Sequence, residues 1–396
     1  MIETMTYSNT ATSGSELVSA AEALRPLVEE SREALSKGPD LPVSLAEALI
    51  QAGLTQLWLP RALGGPEIEP LLFVKVIEAL AKLDGALGWC ASISSTGSRF
   101  AGLIAAEPMR RLMPAGDIYA FSGSGHPTGT ITRDGDGWRI DGRWTWASFS
   151  RYSSITALIC MEQEHGGPRK GPDGRPVLRA ALLPSSKVEV QGNWNSGGLR
   201  SSGSHDVTCT DQWVPDDSTT GMEMAQRQSG PLFSLPLTSA SAIAMVGVPL
   251  GIAAASIDAL LALAQTKVAF MASAPLREQE HVQLEVAWAK TRLLAARAFA
   301  LEAVEAIWSS VASGGPAPIE QQALLRMACS NVGDAGKEIV GRMYTAAGST
   351  AVLEEMPFSA QLRDMYAACQ HINFATRMMV PPGRILLGLE PGTPMI

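Results

Sequence analysis

From Glu16 to about Arg111, apolar residues recur at three- and four-residue spacing, as in "ELVSAAEALRPLVEESREALS" and "LAEALIQAGL". That spacing puts them on one face of a helix and predicts a helical N-terminal region. "PRALGGPEIEP" interrupts it with Pro and Gly, and "LLFVKVIEALAKLDGALGWCASISS" resumes it with a more apolar stretch expected deep inside. The texture changes near Asp117. Short alternating apolar runs replace the helical period, "RDGDGW" carries a hairpin signal, and "VLRAALLPSSKVEVQGNW" and "VTCTDQWVP" read as further strands. From about Gly230 the helical period returns in three Ala-rich stretches of about thirty residues, each about 45 Å long if helical. Broad apolar stripes on such helices suit a bundle and an oligomer.

The order predicts an α+β protein. A polar tail (1–15) precedes an N-terminal α domain (16–116), a middle β domain (117–225) and a C-terminal helical bundle (226–396). A doubly wound nucleotide fold would need alternating strands and helices with G-x-G-x-x-G after a strand, and neither is present.

Composition narrows the class. Hydrophobic residues make up 46% and charged residues 18% of 396, which suits a globular chain with a large core. A net charge of -8 disfavours a nucleic-acid or anionic-membrane surface, and no apolar run is expected to span a bilayer. The start lacks a basic region followed by an apolar core, so no secretory signal is expected. The five cysteines are scattered and odd in number, which predicts buried free thiols in a reducing cytoplasm and no metal site.

Several short stretches could carry chemistry. In "GRWTWAS", Trp144 and Trp146 lie two apart, so a regular strand would point both to one face, as core or as a flat wall for a planar cofactor. Ser148 follows with a hydroxyl for ring heteroatoms. Upstream, Ser122, Gly123 and Ser124 form a turn or a place of close backbone approach to a ring. "GLRSSGSHDV" (198–207) is a loop between strands or the edge of a pocket. "RDMYAACQHINF" (363–374) reads as a helix holding one imidazole, His371, among small and apolar residues. A single histidine there is a core group bonded to a carbonyl or a proton-handling group.

Order and motifs together resemble the acyl-CoA dehydrogenase fold, a flavoprotein superfamily. "LPRALGG" is similar to its P-x-x-x-GG signature, "DGRWTWAS" to its G-x-x-x-W-x-[TS] strand, "GLRSSGSHDV" to its G-x-R-x-[ST]-G-S-x-D loop, and "AAGSTAVLEEMPFSAQLRDMYAACQHI" to its GG-x-G…RD segment. The resemblance spans nearly all of the chain after the first fifteen residues. It implies an N-terminal helical domain, a central β-barrel or sandwich and a C-terminal four-helix bundle.

In that family a Glu eight residues after the Asp of "RD" removes the proton alpha to a thioester. Here that position is Ile372. The other home for the base is the start of the bundle, and no acidic residue lies between Glu223 and Asp258. Both places are empty, which disfavours acyl-CoA dehydrogenation.

His371, one residue before the missing Glu, resembles instead the superfamily's two-component flavin-dependent monooxygenases, of which the hydroxyphenylacetate hydroxylase oxygenases are one type. "GRWTWAS" is similar to their G-x-W-x-F-[AS]-S-G, with Phe149 in place of the final Gly. The resemblance implies reduced flavin (FMNH2 or FADH2) from a separate NAD(P)H:flavin reductase, O2 as co-substrate, a C4a-hydroperoxyflavin and a small aromatic or heteroaromatic substrate. It implies catalytic roles for His371 and Ser148. Flavin would lie on Ser122, Gly123, Ser124, Trp146 and Ser148, with Arg277 and Gln283 reaching a neighbouring subunit's flavin. Trp89, Ser92, His126 and His205 would line the substrate pocket, and the assembly would be a homotetramer. The competing readings are an acyl-CoA dehydrogenase-like FAD oxidoreductase and a flavin-binding homologue without turnover.

Overall fold

The computed structural model describes residues 14–114, 116–164, 166–222, 230–393 and 396. The expected polar tail therefore lies outside them except at its end, where the first helix already begins at Gly14. Seven helices come first: α1 (Gly14–Glu22), α2 (Arg25–Glu30), α3 (Arg32–Lys37), α4 (Val43–Gln51), α5 (Pro70–Leu83), α6 (Gly85–Phe100) and α7 (Ala106–Leu112). Asp84 starts α6 by accepting from the backbone N–H groups of Ala86 and Leu87, which would otherwise lack partners.

Eight strands follow: β1 (Phe121–Asp134), β2 (Gly137–Ala147), β3 (Ile155–Glu164), β4 (Gly167–Pro168), β5 (Leu178–Pro184), β6 (Glu189–Val190), β7 (His205–Pro215) and β8 (Thr219–Gly221). They form one sheet in the order β6-β7-β2-β1-β3-β5-β8, with β4 on β3. The predicted "RDGDGW" hairpin joins β1 to β2, with Asp134 opposite Gly137 and Gly135 at φ 61°. Side-chain alternation divides the sheet between two cores. Leu158, Cys160, Ala181, Leu183 and Val207 gather around Trp144 on one face. Phe121, Ile155, Ala157 and Leu182 pack on the other against Met109 of α7 and Ile104 of the segment before it.

The chain closes with α8 (Pro231–Ser234), α9 (Leu237–Ala264), α10 (Glu280–Ala312), α11 (Ile319–Ala347), α12 (Phe358–Ala368) and α13 (Val380–Leu386). The three long helices have 28, 33 and 29 residues, as the periodicity predicts. α9 corrects one expectation: by length and composition it is apolar enough to cross a membrane. Its position explains the composition, because it packs against α5, α6, α10, α11 and α12 and is the central helix of the bundle.

Candidate active site

The end of β2 departs from a regular strand. Trp144 pairs with Val207, the register slips, and Ala147 pairs with His205; within the slip Trp146 adopts φ 62°. The two tryptophans therefore do not share a face, contrary to their spacing. Trp144 is fully buried and donates its Nε1–H to the Ile159 carbonyl at 2.8 Å, whereas Trp146 is 65% exposed. Gly129 makes room for the buried ring, since a Cβ there would fall 1.9 Å from Trp144 Cζ2. The exposed ring of Trp146 faces the His126 imidazole, with centroids 6.1 Å apart and planes at 19°. The backbone turns again at Phe149, which has φ 61° and stands at the final Gly of the motif that this strand resembles.

Between these two turns lies Ser148, which is buried. Its hydroxyl accepts from Trp89 Nε1 at 3.0 Å and shares a hydrogen bond with Ser204 at 2.7 Å; Ser204 shares another with Ser202 at 2.7 Å. The Ser148 carbonyl accepts from the Ser122 hydroxyl at 2.9 Å, which ties β1 to the end of β2. Gly123 runs so close to β3 that a Cβ would meet the Ala157 carbonyl at 2.1 Å. The Ser124 hydroxyl accepts from the His126 backbone N–H at 3.2 Å.

Trp89 also reaches the second candidate. Its ring meets the His371 imidazole edge-on, at 5.9 Å and 73°. α12 stops at Ala368, so His371 is not in the helix that the sequence suggests. It caps the 3-10 turn Ile372–Phe374, and its Nδ1 accepts from the Asn373 backbone N–H at 3.4 Å. Accepting at Nδ1 leaves the proton of the neutral ring on Nε2. Burial, and after it the charge of Arg326, bring the His371 pKa down to about 4. Among the described residues, no carboxylate is hydrogen-bonded to Trp89, Ser148 or His371.

Two expected pocket residues, Ser92 and His205, are placed differently. The Ser92 hydroxyl is fully buried and donates to the Ala244 carbonyl at 2.6 Å, so it joins α6 to α9 and does not line a pocket. His205 is likewise enclosed. Its Nδ1 accepts from the Trp194 N–H at 2.8 Å, and Nε2 lies 3.1 Å from Asp40, which leaves neither nitrogen for a substrate. Arg277 bonds to Gln265 and Gln283 to the Arg277 carbonyl, beside a surface cavity of about 420 Å³. A larger cavity of about 580 Å³ lies near Lys267, His281, Arg342 and Gly348, not at Ser148. Asp364 accepts from the Leu199 backbone N–H at 2.6 Å. Gly198 permits this approach, because a Cβ there would fall 2.1 Å from the Arg363 carbonyl.

Sequence reading missed Ser202, Ser204, Asn373 and Arg326. The serines stood within a loop whose composition fits any turn. Arg326 had one visible signal, a lone cation in the apolar run "ALLRMACS".

The sequence profile described as "Acyl-CoA dehydrogenase, C-terminal domain" matches residues 243–376. Indole-3-acetate monooxygenase from Acinetobacter baumannii is 26% identical over 347 residues, 88% of this chain and 87% of that one. The oxygenase subunit HsaA, a flavin-dependent monooxygenase of Mycobacterium tuberculosis, is 27% identical over 400 residues, 96% of this chain and 97% of its own. The structure of XiaF from Streptomyces sp., in complex with FADH2 and glycerol, superposes with a TM-score of 0.88 at 19% identity, over 97% of this chain and 98% of that one. The fold is that of the acyl-CoA dehydrogenase superfamily. Over most of its length the chain is similar to flavin-dependent monooxygenases, one of them an oxygenase subunit.

Proposed function

We propose that this protein is the oxygenase component of a two-component flavin-dependent monooxygenase. It takes FMNH2 or FADH2 from a separate NAD(P)H:flavin reductase and inserts one oxygen atom of O2 into a small aromatic or heteroaromatic substrate. The second oxygen atom leaves as water and the flavin leaves oxidised. The observation that carries this reading is the pairing of Ser148 with His371 across Trp89, without a carboxylate where a dehydrogenase needs its base.

The residues fit a planar cofactor. Trp146 offers a largely exposed flat ring at the edge of the β domain, with His126 facing it, and Ser148 and Ser124 bring hydroxyls to the same strand ends. When bound, reduced flavin supplies the two electrons that activate O2. Ser148 is positioned to hydrogen-bond the ring or the reacting oxygen, with its orientation fixed by Trp89 and Ser204. His371, neutral at pH 7 and carrying its proton on Nε2, donates a hydrogen bond into the site, and it accepts a proton there only by changing tautomer. The Trp89 indole and the apolar bundle behind it keep water from the reacting groups.

We further propose a homotetramer in the cytoplasm. Phe270, Met271, Leu284, Leu386 and Leu387 are well exposed on the bundle side, and that apolar surface suits contact with further copies.

The test supplies chemically reduced flavin to the protein in 18O2-saturated buffer with a panel of indoles, phenols and arylacetates. Product carrying one 18O atom is expected. Complete conversion of the O2 to hydrogen peroxide with every class of substrate would sink the reading.

A further inference from the structure

Arg326 is a charge without an obvious reason. It lies on α11, is 2% exposed, and among the described residues no carboxylate pairs with it. Burying a guanidinium without a counter-ion is costly, so its neighbours matter. Nη1 donates to the Asn373 side-chain oxygen at 2.5 Å and Nη2 to the Thr238 carbonyl at 3.1 Å, while Nε has no partner. Asn373 is also buried, and its amide donates to the Ser241 carbonyl at 2.9 Å and hydroxyl at 3.0 Å. The side chain of Asn373 is thereby fixed from α9 and α11 together. Its backbone N–H is the group that faces His371 Nδ1.

We propose that Arg326 and Asn373 are positioning residues for His371: the guanidinium anchors Asn373, and Asn373 holds the imidazole as the neutral Nε2–H form. This rests on the monooxygenase reading for its purpose, though not for its geometry. The arrangement separates recognition of Nδ1 from the side of the ring that meets Trp89. It also sets a permanent positive charge near an imidazole that must stay uncharged.

The surroundings supply no rival charge. α6 carries only Arg99, which donates to the Leu232 and Leu235 carbonyls. α9 has no charged side chain before Asp258, which pairs with Lys82. On α12, Asp364 is turned to Leu199 and Arg363 is exposed to solvent. The thiols of Cys329 and Cys369 point at the Ala242 and Gly333 carbonyls, and burial pushes both up to about 12, so they stay uncharged. Asp334 of α11 pairs with Lys337.

The experiment needs no turnover. The full-length protein without flavin is treated with diethylpyrocarbonate from pH 4.5 to 8, and modification of the His371 peptide is followed by mass spectrometry, with the exposed His126 as internal control. In the wild type, His371 should react at a pH-independent rate down to about pH 5. Arg326→Met should raise the half-point of His371 by roughly one pH unit. Arg326→Lys should restore the low half-point, because it keeps the charge. Asn373→Ala should speed His371 modification roughly threefold by freeing the ring, with the His126 rate unchanged. Identical half-points in wild type and a folded Arg326→Met would overturn the charge role. If Arg326→Met does not fold, an unchanged rate in Asn373→Ala overturns the proposal. Failure of these outcomes leaves the 18O test untouched, so the two readings fail separately.

Discussion

Trp89 donates its indole N–H to the Ser148 hydroxyl at 3.0 Å, and this bond joins a helix of the N-terminal region to the end of a β strand. The same indole packs edge-on against His371, so one side chain sets the spacing between two groups brought from distant parts of the chain. Trp89→Phe keeps the wall and removes the donor. It should cost about 1 kcal/mol of stability and release Ser148 to rotate. Product per reduced flavin should then fall severalfold while hydrogen peroxide rises, measured together in one assay. Unaltered coupling would mean that Trp89 serves only as a wall.

Phe149 holds a left-handed backbone conformation and is buried against Tyr152, with ring centroids 5.4 Å apart. The conformation costs about 1 kcal/mol for a residue with a Cβ. Removing a buried Phe costs about 3–5 kcal/mol. Phe149→Gly should therefore relieve the strain and still destabilise the protein by about 2–4 kcal/mol. Thermal melting decides between them, and a raised Tm would show that the strain outweighs the packing.

Asp364 and Asp84 lie half-buried beside each other. Burial first, and then the neighbouring carboxylate, raise the Asp364 pKa to about 7, while the Leu199 N–H acts in the opposite direction. The sign follows from the ordinary value of 3.8. Between about pH 4 and pH 7 the folded protein holds a proton that the unfolded chain has lost, so this group's contribution is largest at low pH and declines as pH rises through that window. Asp364→Asn mimics the protonated form, and its side-chain oxygen can still accept from Leu199. It should raise stability by about 1–2 kcal/mol at pH 8 and change little at pH 4.5. Denaturant melts at the two pH values test this, and equal effects at both would refute it.

Much of this was legible in the chain. The switch from period 3.6 to period 2 and back depends on repeated local choices, so the three regions and the three long helices stood out. The empty place at Ile372 was visible for the same reason, since it needs only a count from Asp364. What failed depended on single backbone angles or distant partners. A positive φ at Trp146 sent its ring away from Trp144. The end of α12 at Ala368 turned His371 from a helical residue into a cap. Ser92 and His205 looked like pocket residues until Ala244, Trp194 and Asp40 arrived from elsewhere to satisfy them. Polar groups in a pocket and polar groups in a closed network have the same sequence, and only the fold separates them.

The imidazole gives the sharpest test. With a pKa near 4, below the ordinary 6.5, His371 contributes stability that is present above about pH 6.5 and is lost as pH falls toward 4. Product formation should therefore show no break near pH 6.5, and it should hold level from about pH 5.5 to pH 8 if His371 is the group that matters. His371→Ala removes both the cap and the donor, and should lower product formation by about 10²-fold with flavin affinity changed less than about threefold. His371→Gln keeps a neutral donor and an acceptor for the Asn373 N–H, so it should recover part of that loss and retain the flat pH profile. Equal activity of the Ala and Gln variants would argue that a proton leaves or enters through this ring, since an amide cannot carry one. Full activity of both would remove His371 from the chemistry altogether.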